Sequence, residues 1–260
     1  MPTALVTGAT AGIGAAFARA LAQRRYDLVL VARDTARLQA AATELTGRFG
    51  VSVETIAADL TDPAERATVE ARLGDTSQPV GLLVNNAGYG TIGDFWSAPV
   101  EGEEGQVLLH VLATLRLTHA ALSGMVARRE GAVVNVASTA GLMPGASGPT
   151  YGATKAFQAF FSEALAVQLR GQGVRVMALC PGFTRTEFHQ RAGIATAGIA
   201  DRLWLDADTL VDGALADHRR RRPISVPGWQ YKALTEVGRL TPRPLLSAAS
   251  RAVKARRGRK

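Results

Sequence analysis

Short apolar runs rich in β-branched residues alternate along the chain with longer, alanine-rich segments whose apolar positions recur at helical spacing. The short runs predict strands over 3–7, 27–32, 51–57, 81–85, 131–137, 173–180 and 223–226. The segments between them predict helices over 12–24, 34–48, 62–73, 103–128, 151–171 and 207–219. Connections of helical length bring consecutive strands back in the same direction. The pattern therefore predicts a doubly wound α/β architecture, a seven-stranded parallel sheet with helices on both faces.

Composition supports one domain followed by a basic extension. With 260 residues and 47% hydrophobic content, the chain can bury a sizeable core. We assign 1–238 to a single domain and 239–260 to a C-terminal extension. The extension carries eight Lys and Arg residues and no acids, so the body holds 22 basic and 22 acidic residues and the net charge of +8 lies in the extension.

The basic extension has two readings. Apolar positions from Leu245 to Val253 recur at helical spacing, which would let a short amphipathic helix lie on an anionic membrane surface. We favour a solvated or subunit-packed terminal helix, so peripheral membrane contact is an alternative and nucleic acid is not an expected partner. Neither an apolar run of about 18 residues nor room for a signal peptide before Thr3 is found, which predicts a cytoplasmic protein. Cys180 has no disulfide partner and lies in an apolar run, so we assign it no chemistry.

Three polar residues in the second half of the chain form a candidate catalytic group. Tyr151 and Lys155 are four residues apart, so on a helix both side chains point to the same side. A phenol ionises near pH 10 and serves proton transfer at neutral pH when a neighbouring cation favours its phenolate. Ser138 follows a predicted buried strand, and the carboxyl ends of strands in such sheets are where ligands bind. A turn-rich loop joins Ser138 to Tyr151 and would let them converge.

The first strand runs into a glycine-rich turn and an alanine-rich helix, the context of a dinucleotide-binding Rossmann fold. Its spacing, G-x3-G-x-G, departs from the G-x-G-x-x-G of other dinucleotide folds. Glycines there let the backbone approach a pyrophosphate, whose charge is favoured at a helix N-terminus. We expect the cofactor to contact Gly8, Thr10, Ala11, Gly12, Ile13 and Gly14.

The end of the second predicted strand indicates which nucleotide is bound. Arg33 lies where an acid would grip the 2′-hydroxyl of NAD(H). An arginine there instead suits the 2′-phosphate of NADP(H), so we expect NADP(H), with NAD(H) as the less favoured cofactor. The alternative is a surface arginine that neutralises a neighbouring acid. No metal site is expected.

Six motifs in this order resemble the short-chain dehydrogenase/reductase family, in its shorter single-domain branch, over residues 3–226. They are Thr7-Gly8-x3-Gly12-Ile13-Gly14, Ala58-Asp59-Leu60, Asn85-Asn86-Ala87-Gly88, Ser138, Tyr151-x3-Lys155 and Pro181-Gly182-x-Thr184-x-Thr186. The likeness is loosely greatest to bacterial ketoacyl and steroid-type carbonyl reductases.

The resemblance implies a role for each motif. Asp59 and Leu60 would line the adenine, Asn86, Ala87 and Gly88 would back the cofactor, and Pro181, Gly182 and Thr184 would meet the nicotinamide end. The domain over 1–238 would be catalytic, with a mobile substrate lid at about 183–205. Ser138 would hold the substrate oxygen while Tyr151 gives it a proton as hydride arrives at carbon. Lys155 would hold the ribose hydroxyls and lower the pKa of the tyrosine, and both side chains would therefore touch the cofactor.

The family's helix asparagine, which positions a water that feeds protons to the lysine, is matched here by His110. Three readings stay open. His110 holds the water through its backbone carbonyl, or it relays protons itself with a pKa near 6.5, or the relay is weakened.

These observations predict an NADP(H)-dependent oxidoreductase that transfers hydride between the nicotinamide and a carbonyl or secondary alcohol. Loop residues Tyr89, Phe95, Trp96, Leu142 and Met143 favour an apolar small-molecule substrate, although some of them would pack the lid instead. The alternative is a catalytically weak nucleotide-binding regulator or scaffold of the same fold. The resemblance also implies a homo-oligomer, a dimer or a tetramer, formed through helices 103–128 and 151–171.

Overall fold

The computed structural model describes residues 1–91, 93–143, 147–194 and 199–241. Within them, seven parallel strands form one sheet in the order β3-β2-β1-β4-β5-β6-β7. The strands are β1 Thr3–Thr7, β2 Asp27–Ala32, β3 Val53–Ala57, β4 Val80–Asn85, β5 Gly131–Val136, β6 Val174–Leu179 and β7 Ile224–Ser225. This confirms the predicted doubly wound Rossmann fold, and the order reverses between β1 and β4, where such folds bind their ligands.

The helices of the described residues cover both faces of the sheet. They are α1 Gly12–Gln23, α2 Thr35–Phe49, α3 Pro63–Gly74, α4 Val100–Arg128, α5 Pro149–Gln168, α6 Phe188–Arg191, α7 Ala207–Arg219 and α8 Trp229–Leu240. Sequence analysis did not predict α6 or α8. The first is too short to show a period, and in the second the exposed Trp229 and Val237 obscure a buried face formed by Tyr231 and Thr235.

Local capping explains several helix starts. Asp34, Asp62 and Asp206 accept hydrogen bonds from backbone amides at the starts of α2, α3 and α7. Pro149 occupies the first turn of α5, where its missing amide costs nothing. The predicted start of this helix at residue 151 is therefore two residues too late.

The core lies on both faces of the sheet because side chains alternate along each strand. In β1, Val6 packs with α1, α2 and α7, whereas the adjacent Leu5 packs with α3 and α4 on the opposite face. Central strands are therefore apolar at nearly every position, which is the pattern that predicted a parallel sheet.

By length and composition alone, α4 could cross a membrane. The expectation of no apolar run of about 18 residues is therefore wrong for α4. This helix includes an 18-residue stretch of mean hydropathy 1.3 with no more than two charged residues. Leu117 and Met125 on α4 pack against the sheet, and the exposed Arg116 pairs with Glu70 at 2.6 Å. We interpret α4 as a core helix.

The division into a domain over 1–238 and an extension over 239–260 stays a prediction. The helix expected between Leu245 and Val253 lies outside the described residues.

Candidate active site

Ser138, Tyr151 and Lys155 converge just beyond the carboxyl end of β5. Ser138 begins a short 3-10 turn, and its Oγ accepts a hydrogen bond of 3.1 Å from the amide of Ala140. The Tyr151 phenol lies close enough to this hydroxyl for Ser138 to lower its pKa. One turn along α5, the Lys155 Nζ lies 5.8 Å from the centroid of the tyrosine ring. Strand end and helix therefore bring together the group that the sequence suggested.

A glycine allows this close approach. A Cβ added at Gly141 would lie 2.4 Å from the carbonyl carbon of Lys155. Only glycine therefore lets the turn after Ser138 rest directly on the backbone of α5. Gly141 thus lets Ser138 lie close to Tyr151.

The protonation state of Tyr151 differs from the expectation that Lys155 would lower its pKa. Burial raises the pKa of Tyr151 to about 12, and the neighbouring Ser138 hydroxyl opposes this only in part. The ammonium of Lys155 is turned toward other partners and is not among the causes of the shift. At neutral pH the phenol in this structure is therefore protonated, which is the form that donates a proton.

Lys155 is itself almost fully buried. Its Nζ donates hydrogen bonds of 2.8 Å to the Val136 carbonyl and 2.8 Å to the Gln158 side chain. Burial lowers the pKa of Lys155 to about 7. The ammonium therefore changes charge in the physiological range, a property typical of functional sites.

His110 lies in a π-helical segment of α4, Leu108–Ala113, and is fully buried. Its Nε2 accepts a hydrogen bond of 3.2 Å from the amide of Tyr89, so Nδ1 carries the proton and donates it to the Thr154 hydroxyl at 2.9 Å. That hydroxyl donates onward to the Tyr151 carbonyl at 3.0 Å. The imidazole ties α4 to α5 and to the loop after β4.

The same geometry bears on the three readings of His110. Burial and the charge of Lys155 lower the pKa of His110 well below 6.5. A relay that depends on a pKa near 6.5 therefore loses its premise, because the imidazole stays neutral and both of its nitrogens are engaged. Whether the backbone of His110 holds a water remains a prediction.

We expect His110→Asn to keep turnover within a few fold and to leave the pH profile unchanged, because an amide keeps a donor and an acceptor at this buried position and His110 stays neutral. His110→Leu should cost more than tenfold, since an unpaired buried amide costs about 1–3 kcal/mol. Steady-state kinetics across pH 5–9 measure both. Collapse of the asparagine variant would show that the imidazole itself is required.

The glycine-rich turn is tied to the end of β4. Gly8 and Gly12 have φ of +63° and +53°, which favour glycine. Asn86 Nδ2 donates to the carbonyls of Thr7 and Gly8 at 2.8 and 3.2 Å, and the Thr7 hydroxyl accepts from the amides of Asn86 and Ala87. Behind them, a Cβ at Gly88 would lie 2.9 Å from His110 Nε2. The Asn86 to Gly88 segment therefore backs the turn.

The turn fits the diphosphate of a nucleotide. Asp34, Asp62 and Asp206 cap other helices, but in the described chain no side chain caps α1 at Ala11. No acid occupies its first turn. An uncapped, acid-free helix N-terminus with a close backbone suits an anion.

Arg33 projects from the end of β2 and is 77% exposed. It lies 3.5 Å from the carboxylate of Asp59, so its acid partner is Asp59. Burial favours a higher pKa for Asp59, but hydrogen bonds from Thr61 and the charge of Arg33 outweigh it and lower the pKa. Leu60, next in the chain, is buried in the core. Arg33 therefore has an open guanidinium beside the glycine-rich turn.

Sequence analysis missed Arg37, which links this turn to the lid. Its guanidinium donates to the Thr10 carbonyl at 3.1 Å and pairs with Glu187 at 2.9 Å. Glu187 also pairs with Arg191 on α6. These contacts join positions 150 residues apart, and no local pattern could reveal them.

The segment after β6 packs against the turn that follows Ser138 and against α8. A Cβ at Gly182 would lie 2.0 Å from the ring of Tyr231, whose hydroxyl accepts from the Phe183 amide at 2.9 Å. Thr184 is buried and bridges to Leu205. Pro181 accepts at its carbonyl from the Thr139 amide at 2.9 Å, which holds this segment against the serine turn.

The lid brings an aromatic side chain over the catalytic group. The ring of Phe188 lies 5.8 Å from the ring of Tyr151, whereas Phe183, His189 and Trp204 pack on one another. Of the apolar walls expected from the sequence, Phe95 and Trp96 are exposed. Phe183, His189 and Trp204 therefore pack against one another within the segment after β6.

Comparison with known proteins identifies the family. A family model described as short chain dehydrogenase matches residues 2–195. The chain belongs to this family. Among solved structures, this short-chain dehydrogenase is similar to one from Sphingobium yanoikuyae in complex with NADPH, at 41% identity and TM-score 0.84 over 91% of this chain and 93% of that one. It is similar to a bulky-bulky ketone specific alcohol dehydrogenase from Comamonas testosteroni, at 34% identity and TM-score 0.80 over 91% and 92%.

Two curated relatives add breadth. A very-long-chain 3-oxoacyl-CoA reductase of Laccaria bicolor is 40% identical over 66% of this short-chain dehydrogenase, a region that spans only 52% of the relative. The oxidoreductase UcpA of Escherichia coli K12 is 35% identical over 71% of the chain and 70% of the relative. The chain thus spans about half the length of the first relative, although the family model covers the glycine-rich turn and the positions of Ser138, Tyr151 and Lys155.

Proposed function

We propose that the protein is an oxidoreductase that transfers hydride between NADP(H) and a carbonyl compound or secondary alcohol. The observation that carries the proposal is the convergence of Ser138, Tyr151 and Lys155 beside the glycine-rich turn. The bound nicotinamide supplies or accepts the hydride. In the reductive direction Ser138 donates a hydrogen bond to the substrate oxygen, and Tyr151 gives its phenolic proton to that oxygen.

The protein's own residues prepare this proton transfer. Tyr151 is protonated at neutral pH, so reduction begins from the correct form of the acid. Lys155, beside it, stabilises the phenolate that remains after the proton has left. Buried surroundings strengthen that interaction, since the effective dielectric constant is lower than in water.

NADP(H) fits the nucleotide end. The exposed Arg33 provides a charged fork for a 2′-phosphate, and Arg37 holds the turn beside it. The relative from Sphingobium yanoikuyae binds NADPH, and a relative from Thermococcus sibiricus, 26% identical, binds 5-hydroxy-NADP.

We propose an apolar, bulky ketone or its alcohol as the substrate. Phe188 covers Tyr151 with an aromatic face, and apolar surface at a reactive centre favours apolar ligands. The bulky-ketone dehydrogenase and the long-chain oxoacyl reductase among the relatives support this class. Purified protein should oxidise NADPH when offered bulky aromatic and long-chain ketones. Turnover that stays at background across such a panel would favour the scaffold alternative.

We also propose a homo-oligomer formed through α4 and α5. Leu115, Phe160 and Val167 on these helices are exposed apolar side chains. Burying such surface would stabilise a dimer or tetramer. Light scattering after size-exclusion chromatography gives the mass, and a monomer at micromolar concentration would refute this.

Arg33→Ala should raise the KM for NADPH at least about tenfold and leave the KM for NADH nearly unchanged. A charge-assisted hydrogen bond contributes about 1.5–3 kcal/mol, and the 2′-phosphate is present only in NADPH. Arg19→Ala, which removes an arginine paired with Asp208 on the outer surface, is the control and should alter neither constant. Equal losses with both cofactors would assign Arg33 a structural role.

A further inference from the structure

Two oxygen atoms accept hydrogen bonds from the ammonium of Lys155. It is 4% exposed and donates to the Val136 carbonyl and to Gln158 Oε1, each at 2.8 Å. An ammonium has three protons, so one remains for the side that faces the reacting groups. On that side a Cβ at Gly88 would lie 3.6 Å from Nζ.

Gln158 is fixed in the orientation that this contact requires. Its Nε2 donates to the Thr114 hydroxyl at 2.9 Å, so its oxygen faces the lysine. The backbone carbonyl of Gln158 accepts from the Ser162 hydroxyl at 2.7 Å, and Ser162 accepts from Asn135 at 2.9 Å. A flipped amide would point two N–H groups at an ammonium. Thr114 on α4 therefore fixes the side-chain amide of Gln158 behind the lysine, while Ser162 ties its backbone to β5.

The titratable groups near Lys155 do not supply a counter-charge at neutral pH. Burial raises the pKa of Tyr151 on α5 and of Cys180 after β6 to about 12 each. The pKa of His110 on α4 lies well below 6.5, so its ring is neutral. The charge of Glu163 on α5 favours a higher pKa for Cys180. Oxygen dipoles of Val136 and Gln158 therefore face the charged amine directly.

We propose that Gln158 is a positioning residue that, together with the Val136 carbonyl, holds Lys155 in the site and stabilises its charged form. Its catalytic meaning rests on the proposed function, because a charged lysine stabilises the phenolate of Tyr151. The contact itself requires neither cofactor nor substrate. Loss of the amide oxygen would leave the ammonium less stabilised and freer to turn away from the tyrosine.

The chain allows a direct measurement of the lysine. It contains four lysines, Lys155, Lys232, Lys254 and Lys260. Full-length protein labelled with 13C at the lysine ε-carbon should therefore give few signals, and their shifts report protonation of Nζ. The Lys155→Arg variant identifies the Lys155 signal by its disappearance. Titration of the cofactor-free protein then gives the pKa of Lys155.

Two variants should move this pKa in opposite directions. Gln158→Leu should lower it by about one pH unit, the size expected for losing a hydrogen bond to a charged group. Gln158→Glu should raise it, because a carboxylate favours the ammonium. Gln106→Leu is the matched control, since Gln106 is equally buried on α4 but bonds to Thr91 instead. It should leave the signal of Lys155 unchanged.

An unchanged pKa in both Gln158 variants would overturn the proposal. If Gln158→Leu does not fold, Gln158→Glu decides alone: a raised pKa supports the proposal and an unchanged one refutes it. Opposite shifts also separate positioning from simple destabilisation, which would move both variants the same way. Wild-type protein that never oxidises NADPH would refute the proposed function, while the titration would still test Gln158.

Discussion

Tyr151→Phe should lower the turnover of ketone reduction by at least about a thousandfold, within the range that general acid catalysis contributes. The phenylalanine keeps the ring that contacts Phe188 and His110 and removes only the hydroxyl that lies beside Ser138. NADPH should still bind with nearly unchanged affinity, because the glycine-rich turn and Arg33 are untouched. Stopped-flow absorbance at the NADPH band measures turnover, and NADPH fluorescence measures binding.

This pair of measurements separates chemistry from folding. A variant that loses turnover and binding together would have lost its structure, and circular dichroism would show it. If turnover instead fell only a few fold, another group would be the proton donor, and the protonated state of Tyr151 would have no catalytic meaning.

Gly14→Ala should abolish NADPH binding and lower the free energy of unfolding by about 3 kcal/mol, the upper range for overpacking a tight site. A Cβ at Gly14 would lie 2.2 Å from the Gly8 carbonyl oxygen and 2.5 Å from Asn86 Nδ2. The added methyl group would push the glycine-rich turn away from the end of β4. Urea unfolding gives the stability, and fluorescence titration gives the affinity for NADPH.

Gly47→Ala in α2 is the matched control. No atom lies within 4 Å of a Cβ added there, and alanine favours a helix by about 1 kcal/mol over glycine. This variant should be slightly more stable than wild type and should bind NADPH normally. Similar stability of the two variants would mean that the turn can shift to make room at Gly14.

The strands could be predicted because apolar runs record burial, and burial on two faces leaves few other architectures. The catalytic group could be predicted because Tyr151 and Lys155 share one helix and Ser138 marks a strand end. Starts of helices were less certain, since the start of α5 depends on Pro149 and its neighbours rather than on a period. Helices α6 and α8 have too little periodicity to be found this way.

The energetic state of the group could not be predicted. Helical spacing put a cation beside Tyr151 and suggested a lowered pKa, but burial, which acts through the whole fold, raises it. Similarly, the neutral state of His110 follows from burial and from the charge of Lys155, and its tautomer from the Tyr89 amide and the Thr154 hydroxyl, which lie on other elements. Gln158 and Arg37 gave no signal, because Thr114 and Glu187, which orient their side chains, are 44 and 150 residues away in the chain.

The bridge from Arg37 to Thr10 and Glu187 limits how this protein can be re-engineered. A designer who rebuilds the lid to admit another ketone would normally treat the nucleotide half as a constant. Here Glu187 carries the carboxylate that orients Arg37 of α2, which in turn holds the Thr10 carbonyl of the glycine-rich turn. Libraries that vary the lid should therefore keep Glu187 or vary it jointly with Arg37. Otherwise a variant with a new substrate range would also lose affinity for NADP(H).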